Sequence, residues 1–361
     1  MINICIIGAG NGGQALAAYF AMKGFDTSLF NRSKWRIEPI IESKRIKLEG
    51  EVKGTYQISF ATTNLEEAIK GRKLLMVVVP AFAHREVAER IAPFVEDGQI
   101  ILLNPGRTGG ALEFKNVFKS KGIKKDVIIA EAQTFVFASR MSNPGVVKIL
   151  RIKNAVPIAA LPSKRNSELK EVMSQVMPEF EIVDNIIYTS FNNIGAVFHP
   201  ATLILNAARI ESTAGRFEFY LEGITNSVAK VLEKVDEERC QVMKIFGVKP
   251  LTSVNWLKYA YDVTGKNLYE AIHNNSGYQG IIAPPSIENR YITEDVPMSL
   301  VPISSFGKEY GVNTPIINSI IYLANVMMGE DYFKNGRSVS SLGLKGKKIE
   351  EIIKLVEEGD E

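Results

Sequence analysis

The chain has 361 residues, of which 46% are hydrophobic and 23% are charged, and its formal net charge is +3. This length allows two domains of roughly 100–200 residues each, whereas the small net charge argues against a nucleic-acid or membrane-surface partner. The two cysteines, Cys5 and Cys240, do not imply a disulfide framework, so a reducing compartment is expected.

The N-terminus enters an apolar strand pattern at once, without the basic segment that opens a signal peptide. The longest nearly apolar run, Leu74–Ala83, is interrupted by Pro80 and is shorter than the ~20 residues of a membrane-spanning helix. These features predict a cytoplasmic protein with no membrane partner.

In the first half of the chain, short apolar runs alternate with amphipathic segments. The runs predict buried strands at Ile2–Ile7, Thr27–Phe30, Leu74–Val79, Ile100–Leu103 and Val127–Ala130. Helical patterns lie between them at Gln14–Lys23 and Arg85–Val95. This alternation predicts a parallel sheet with helices on both faces. We expect Val146–Ile152 and Val156–Leu161 to extend that sheet, followed by a helix at Ser167–Val176 and a strand near Ile182.

Near Asn185 the pattern changes to long helical segments. These are Ile186–Phe198, Ala201–Ile210, Phe217–Phe246 and Pro315–Met328. Residues 273–302 are instead rich in Gly, Pro, Asn and Ser and predict a long ordered loop, a feature that is usually functional in a compact domain.

The loop after the first predicted strand fits G-x-G-x-x-G at Gly8, Gly10 and Gly13. Gly8 permits a tight turn, Gly10 lets the backbone approach a pyrophosphate, and Gly13 allows close packing of helix on strand. Asn11 opens the helix, whose N-terminus favours the anion. The strand–loop–helix context favours a dinucleotide site over a glycine-rich turn without ligand.

Together these patterns predict the α/β fold class. Residues 1–185 are expected to form a Rossmann-type parallel sheet domain that binds the dinucleotide. Residues 186–361 are expected to form a mainly α-helical domain that carries the substrate and the catalytic groups.

The end of the second predicted strand, Asn31-Arg32-Ser33, bears on the choice of nucleotide. NAD-selective sites usually carry Asp or Glu at this point, which accepts a hydrogen bond from the ribose 2′-OH. The neutral Asn31, followed by the Arg32 guanidinium and the Ser33 hydroxyl, suits a 2′-phosphate better. NADP(H) is therefore the predicted cofactor, with NAD(H) as the alternative; a surface arginine without a ligand is the other interpretation.

Two further loops follow predicted strand ends, where ligands bind in open α/β sheets. Pro80 belongs to the first of these loops, and Asn104 opens the second, Asn104–Gly110. Both residues are candidate cofactor contacts near the nicotinamide half, although turn chemistry alone would also explain the sequences.

Acid–base candidates are few, because the chain has only three histidines. His199 is flanked by apolar residues and suits proton transfer at a carbonyl or imine, although a packed structural histidine is the alternative. In the predicted loop, Arg290 could bind a substrate carboxylate and Asp295 could orient the imidazole, unless the segment is simply a solvated loop. There is no HExxH or CxxC pattern, so no metal is expected.

Several segments resemble the opine dehydrogenases, the octopine/nopaline dehydrogenase family. They are Gly8–Gly13, Asn104–Gly110, Glu131–Phe135 continuing to Arg140, Asn193–Pro200, and Arg290–Pro297 running on into Leu300–Pro302. The resemblance implies joining of an amino acid to a 2-oxo acid and reduction of the imine to a secondary amine dicarboxylate. It also implies that His199 is catalytic with Asp295 as its partner, that Arg290 binds the oxo-acid carboxylate, and that Thr134 lines that site.

Two other functions stay open from the sequence. One is an NADP-dependent 2-oxo or 3-hydroxy acid dehydrogenase that works without amine condensation. The other is a non-catalytic dinucleotide sensor, which would need none of His199, Arg290 and Asp295. The identities of the amino acid and the oxo acid stay open, and the apolar segment Pro315–Met328 suits a homodimer interface as well as a core.

Overall fold

The computed structural model describes residues 2–359, which divide into two units. The first unit comprises residues 2–106, 110–186 and 355–359, and the second comprises residues 107–109 and 187–354. Along the main chain this division falls one residue after the boundary that the sequence predicts. The grouping of residues 107–109 with the second unit, and of 355–359 with the first, is not predicted.

The first unit is built on two sheets. Its strands in chain order are β1 (Ile4–Ile7), β2 (Thr27–Phe30), β3 (Arg45–Gly50), β4 (Gly54–Gln57), β5 (Phe60–Thr62), β6 (Leu74–Val77), β7 (Ile100–Leu103), β8 (Ile128–Ala132), β9 (Phe137–Asn143), β10 (Val146–Ile152), β11 (Val156–Leu161) and β12 (Phe180–Ile182). Within residues 2–359, one sheet has eight strands in the order β12-β11-β8-β7-β6-β1-β2-β5 and the other has four in the order β4-β3-β10-β9.

The helices of the first unit lie between these strands. They are α1 (Asn11–Met22), α2 (Glu38–Ser43), α3 (Leu65–Ile69), α4 (His84–Ile91), α5 (Gly110–Ser120) and α6 (Asn166–Val176). The predicted helices Gln14–Lys23, Arg85–Val95 and Ser167–Val176 correspond to α1, α4 and α6, although the second ends earlier, before a 3₁₀ turn at Ala92–Phe94.

The centre of the larger sheet explains why its strands are continuous apolar runs. β1, β6 and β7 pair in parallel, and all their side chains are buried. A strand that is covered on both faces must be apolar at every position. In register, Ile7 pairs with Phe30 and Val77, so the segments that follow β1, β2 and β6 leave the sheet at one edge.

The two strands that are predicted to extend the sheet differ in outcome. Val156–Leu161 does extend the larger sheet, as β11, but it runs antiparallel to β8, so that sheet is mixed. The prediction for Val146–Ile152 is wrong, because this strand, β10, belongs to the smaller sheet, where it pairs with β3 and β9. The physical reason is visible in β10 itself: Val147 and Ile149 are buried, whereas Leu150 is 47% exposed. This alternation is typical of a strand with one covered face.

The second unit is helical. Its helices continue as α7 (Ile186–Phe191), α8 (Ile194–Leu205), α9 (Ala207–Thr213), α10 (Asn226–Lys244), α11 (Ser253–Tyr261), α12 (Leu268–His273), α13 (Arg290–Thr293), α14 (Val301–Glu309), α15 (Pro315–Met328), α16 (Tyr332–Asn335) and α17 (Ile349–Glu357). The first residue of α7 and the last three of α17 are grouped with the first unit. α8 is apolar around most of its circumference and packs against α10, α13 and α15, so it is the central helix of this unit.

Four predicted segments of the second unit differ from the structure. The predicted helix Ile186–Phe198 is interrupted between α7 and α8, and the predicted helix Ala201–Ile210 is divided between α8 and α9 at Asn206. The predicted helix Phe217–Phe246 is helical only over Asn226–Lys244. The predicted loop 273–302 ends in α13, a π-helical turn at Val296–Leu300 and the start of α14. Its prolines do not prevent this, because Pro297 and Pro302 occupy first-turn positions that need no N–H donor.

Of the helices formed by the described residues, none has the combination of length and apolarity needed to cross a membrane.

Candidate functional site

The glycine loop of the first unit has the geometry that the fingerprint requires. Gly8 has a φ of +111°, which L side chains rarely adopt. A Cβ at Gly13 would lie 1.7 Å from the carbonyl oxygen of Gly8, whereas a Cβ at Gly10 would meet nothing within 4 Å. The helix therefore packs directly on the turn, and the backbone at Gly10 is open to a ligand. Because Gly10 is the N-cap of α1, no side-chain oxygen of that residue competes for the first N–H groups.

The end of β2 is tied to this loop by Asn31. Its Oδ1 accepts a hydrogen bond from Ala9 N at 3.0 Å, and its Nδ2 donates to the Ser33 carbonyl at 3.0 Å. Arg32 is exposed, and its Nη1 lies 2.8 Å and 3.0 Å from the two carboxylate oxygens of Glu86. The residues that the sequence assigns to nucleotide selection are thus together at one strand end, with Arg32 in a surface ion pair.

The other candidate residues of the first unit occupy different surroundings. Asn11 Oδ1 accepts from Met141 N at 3.2 Å. Pro80 is exposed after β6, and Thr134 is half-buried after β8. Asn104 is buried after β7, and its Oδ1 has no hydrogen-bond partner among the described residues. A buried acceptor of this kind suits a ligand that carries an amide or hydroxyl donor.

In the second unit, His199 and Asp295 are in direct contact. His199 lies on α8, and its Nδ1 is 2.7 Å from Oδ2 of Asp295, which follows α13 and is completely buried. A carboxylate accepts at this distance, so the hydrogen bond assigns the proton of the neutral ring to Nδ1. The other ring nitrogen, Nε2, then accepts from the Tyr220 hydroxyl at 3.1 Å. Nε2 is therefore the ring atom available for proton transfer.

The surroundings favour the ionised carboxylate and the neutral imidazole. Burial lowers the pKa of His199, and this effect outweighs the opposing effect of Asp295. Burial raises the pKa of Asp295, but Arg107 and His199 outweigh it and hold that pKa below its usual range. The pair thus consists of a neutral base beside a fixed negative charge, an arrangement that suits general acid–base chemistry.

Aromatic side chains enclose the imidazole. Tyr291 stacks on His199 with 4.1 Å between ring centroids, and Tyr220 stacks on Tyr278 at the same separation. Burial raises the pKa of Tyr220 well above its ordinary value, so its phenol stays protonated and can donate to Nε2. These rings limit the access of water to the pair.

Tyr220 is not predicted as a site residue, because the pattern of residues 217–246 predicts one continuous helix. Gly215 and Gly223 bracket this segment, and two glycines eight positions apart are a signal that the helix is interrupted there. Tyr291 is not predicted either, because its stacking on His199 of another helix leaves no pattern among neighbouring positions of the sequence.

Arg290 begins α13, the helix that leads into Asp295, and its side chain is exposed. Its positive charge is close enough to contribute to the lowered pKa values of both His199 and Asp295. The structure therefore brings three of the predicted residues, His199, Asp295 and Arg290, into one part of the second unit.

A family model described as NAD/NADP octopine/nopaline dehydrogenase, alpha-helical domain, matches residues 182–328. A model of the NAD-dependent glycerol-3-phosphate dehydrogenase N-terminus matches residues 3–131. The chain is 38% identical over 342 residues to an opine dehydrogenase of Arthrobacter sp. (strain 1C), covering 94% of this chain and 95% of the relative.

Solved structures show the same fold. An octopine dehydrogenase crystallised with NADH and L-arginine has a TM-score of 0.79 at 22% identity and covers 98% of both chains. An NADP⁺-bound yersinopine dehydrogenase has a TM-score of 0.71 at 15% identity and covers 99% of this chain and 98% of its own. The predicted fold class, a Rossmann-type α/β domain followed by a mainly helical domain, is confirmed. The chain belongs to the opine dehydrogenase family, a family of nicotinamide-dependent oxidoreductases.

Proposed function

We propose that the protein joins the amino group of an amino acid to the carbonyl carbon of a 2-oxo acid and reduces the resulting imine to a secondary amine dicarboxylate. The observation that carries this proposal is the contact of His199 with the buried Asp295, in which the Nε2 of the imidazole is turned away from the carboxylate. The family of the chain and the names of its relatives support it.

The glycine loop fits a nicotinamide dinucleotide, which when bound supplies the hydride for the reduction. Gly8, Gly10 and Gly13 would hold the pyrophosphate over the start of α1. Asn31, Arg32 and Ser33 would lie at the adenosine ribose. Pro80 and the free acceptor of Asn104 would contact the nicotinamide half. Asn11 stays a candidate contact at the start of the helix.

His199 would move one proton twice before the reduction. Its Nε2 takes a proton from the ammonium group of the amino acid, and the free amine adds to the carbonyl carbon. A proton of the adding nitrogen passes to the carbonyl oxygen, which gives the carbinolamine. The imidazolium then gives its proton to the carbinolamine hydroxyl, which leaves as water as the protonated C=N bond forms. Asp295 stabilises the imidazolium between these steps and keeps the ring in one orientation.

Arg290 would bind the carboxylate of the oxo acid, with Thr134 as a further candidate contact. Replacing Arg290 with methionine removes a guanidinium that makes charged hydrogen bonds, each worth ~1.5–3 kcal/mol. We expect KM for the oxo acid to rise about 10- to 100-fold, while KM for the amine changes little. Steady-state kinetics with each substrate varied in turn measures this, and an equal rise in both KM values would contradict the assignment.

For the cofactor we propose a preference for NADP(H), with Arg32 binding the 2′-phosphate in place of Glu86. Because Glu86 competes with the phosphate for Arg32, Glu86→Gln is expected to lower KM for NADPH a few-fold. Arg32→Ala is expected to raise it about tenfold or more, since a charged hydrogen bond is lost. NADH is the matched control, because it lacks the phosphate; equal effects on both nucleotides would refute this role for Arg32.

The function is tested by a panel of amine and 2-oxo acid pairs monitored by NADPH oxidation. Amine-dependent oxidation with formation of a secondary amine dicarboxylate, identified by mass spectrometry, is the expected result. Oxidation with the oxo acid alone would instead support a 2-oxo acid dehydrogenase. Nucleotide binding without turnover of any pair would support a dinucleotide sensor.

We also propose a cytoplasmic location, supported by two buried cysteines that are both free thiols. A homodimer is supported by the exposed apolar side chains of α15, among them Tyr322 and Val326, the latter 83% exposed. Light scattering on the purified protein tests the oligomeric state.

A further inference from the structure

A buried arginine lies beside the His199–Asp295 pair and has no role in the reaction proposed above. Arg107 Nη1 is 3.1 Å from Oδ1 of Asp295, the carboxylate oxygen that does not face His199. Its Nε is 3.3 Å from Oε1 of Glu294. The Arg107 side chain is only 9% exposed and Asp295 is not exposed at all, so water and salt screen this ion pair weakly.

The helix that carries His199 makes room for this guanidinium. Gly195 precedes His199 by four residues and therefore lies on the same face of α8. A Cβ built at Gly195 would lie 2.3 Å from Arg107 Nη1. A larger residue at this position would push the guanidinium aside. The position of Arg107 therefore explains why the residue one turn before His199 is a glycine.

The backbone at Arg107 also indicates a specific placement. Its φ is +57°, in the left-handed region that residues other than glycine, asparagine and aspartate seldom adopt. A glycine at this position would adopt the positive φ without strain, and the same loop has glycines close by, at Gly106 and Gly109. An arginine that tolerates such a backbone conformation is held there by its side-chain contacts, here with Asp295, Glu294 and Asn193.

We propose that Arg107 is a positioning residue of the acid–base pair: it holds Asp295 ionised and in place, and it sets the pH at which the pair takes up a proton. The kinetic part of this inference rests on the proposed function. The titration of His199 does not, because it can be followed without substrate.

The direction of the effect follows from the charges that face the pair. Besides Arg107, these are the Glu294 side chain and the guanidinium of Arg290, and the phenol rings of Tyr220 and Tyr291 also face the pair. A cation beside the pair disfavours an added proton whether it resides on His199 or on Asp295. Removing Arg107 therefore favours proton uptake in either case, and the apparent midpoint must move to higher pH.

The experiment is a ¹⁵N NMR titration of histidine side chains in the full-length protein without substrate. The chain has only three histidines, so the His199 signal can be assigned with His199→Gln. We expect Arg107→Met to raise the His199 midpoint by about one pH unit or more. Arg107→Lys, which keeps a charge, is expected to restore most of the wild-type midpoint.

A second variant keeps the test decisive if Arg107→Met does not fold. Gly195→Ala retains the arginine but displaces its Nη1 from Asp295, and it should raise the midpoint in the same direction by less. The matched control is Arg239→Lys, a fully buried arginine of the same unit whose carboxylate partner is Asp236. It should lower the melting temperature without moving the midpoint.

Turnover provides the second measurement. We expect Arg107→Met to lower kcat/KM about 10- to 100-fold, as for other losses of catalytic positioning, and to shift its pH profile in the direction of the NMR midpoint. A midpoint that is unchanged or falls in both Arg107→Met and Gly195→Ala would overturn the inference, even if activity is lost. If instead no amine pair is turned over but the midpoint rises, the proposed function fails and the role of Arg107 stands.

Discussion

Replacing His199 with alanine is expected to lower kcat by about 10²- to 10⁴-fold, the usual contribution of a positioned general acid–base group. The variant loses the imidazole that contacts both Asp295 and the Tyr220 hydroxyl, and with it the group that carries the proton from the ammonium to the departing hydroxyl. The measurement is steady-state turnover of the active amine and oxo-acid pair.

The cofactor provides the control for this variant. The glycine loop belongs to the first unit, whereas His199 belongs to the second. NADPH binding, followed by fluorescence, should therefore be close to wild type in His199→Ala. Turnover within a few-fold of wild type would remove His199 from the mechanism, whereas loss of both binding and turnover would point to misfolding.

Replacing Asp295 with asparagine is expected to lower kcat by about as much as His199→Ala does, but for a different reason. The analogous change in a Ser-His-Asp triad lowers kcat by ~10⁴, because the amide no longer selects the productive tautomer. Here an amide NH₂ could donate to Nδ1, which would place the ring proton on Nε2 and block proton uptake there. We expect a loss of about 10²- to 10⁴-fold in kcat.

The pH profile separates this tautomer effect from simple misfolding. The charge of Asp295 opposes the lowering of the His199 pKa by burial. Without that charge the pKa of His199 falls further, so the midpoint of the kcat/KM profile should move to lower pH. This is the opposite direction from the shift expected for Arg107→Met.

Glu294→Gln is the matched control for Asp295→Asn. Glu294 is buried beside Asp295 and contacts Arg107, whereas the carboxylate hydrogen-bonded to the His199 ring is that of Asp295. We expect a much smaller loss of kcat in this variant. Equal losses in the two variants would mean that Asp295 acts only through the packing of this segment.

Local patterns account for much of the fold. β1, β6 and β7 are apolar at every position, so these strands are predicted close to their true bounds, as are the helices α1 and α4 that follow β1 and β6. The helices α2 and α3 are not predicted. β3 and β4 are missed and β10 is placed in the wrong sheet, because half of their residues face solvent and the runs are not continuously apolar. Periodicity in such strands indicates a covered face but not the partner strand.

The residues of the candidate site are also predicted only in part. His199 and Asp295 are found as residue types in motifs, and their contact joins positions 96 residues apart in the chain. Tyr220 is not predicted as a site residue, because its segment is assigned to a helix. Arg107 is predicted to belong to a loop of the nucleotide domain, whereas it packs with the second unit beside Asp295.

The glycine fingerprint, the class of cofactor and the acid–base candidates are predicted from the sequence, because turns, helix starts and motif residues depend on neighbouring positions. The charges that face His199 are not predicted in this way, because they come together through the fold. Arg107 and Glu294 are 187 positions apart, and the guanidinium of Arg107 lies in space that a Cβ at Gly195 of α8 would enter. Burial then makes these contacts strong, since a charge pair out of water is weakly screened. No pattern along the chain records that burial.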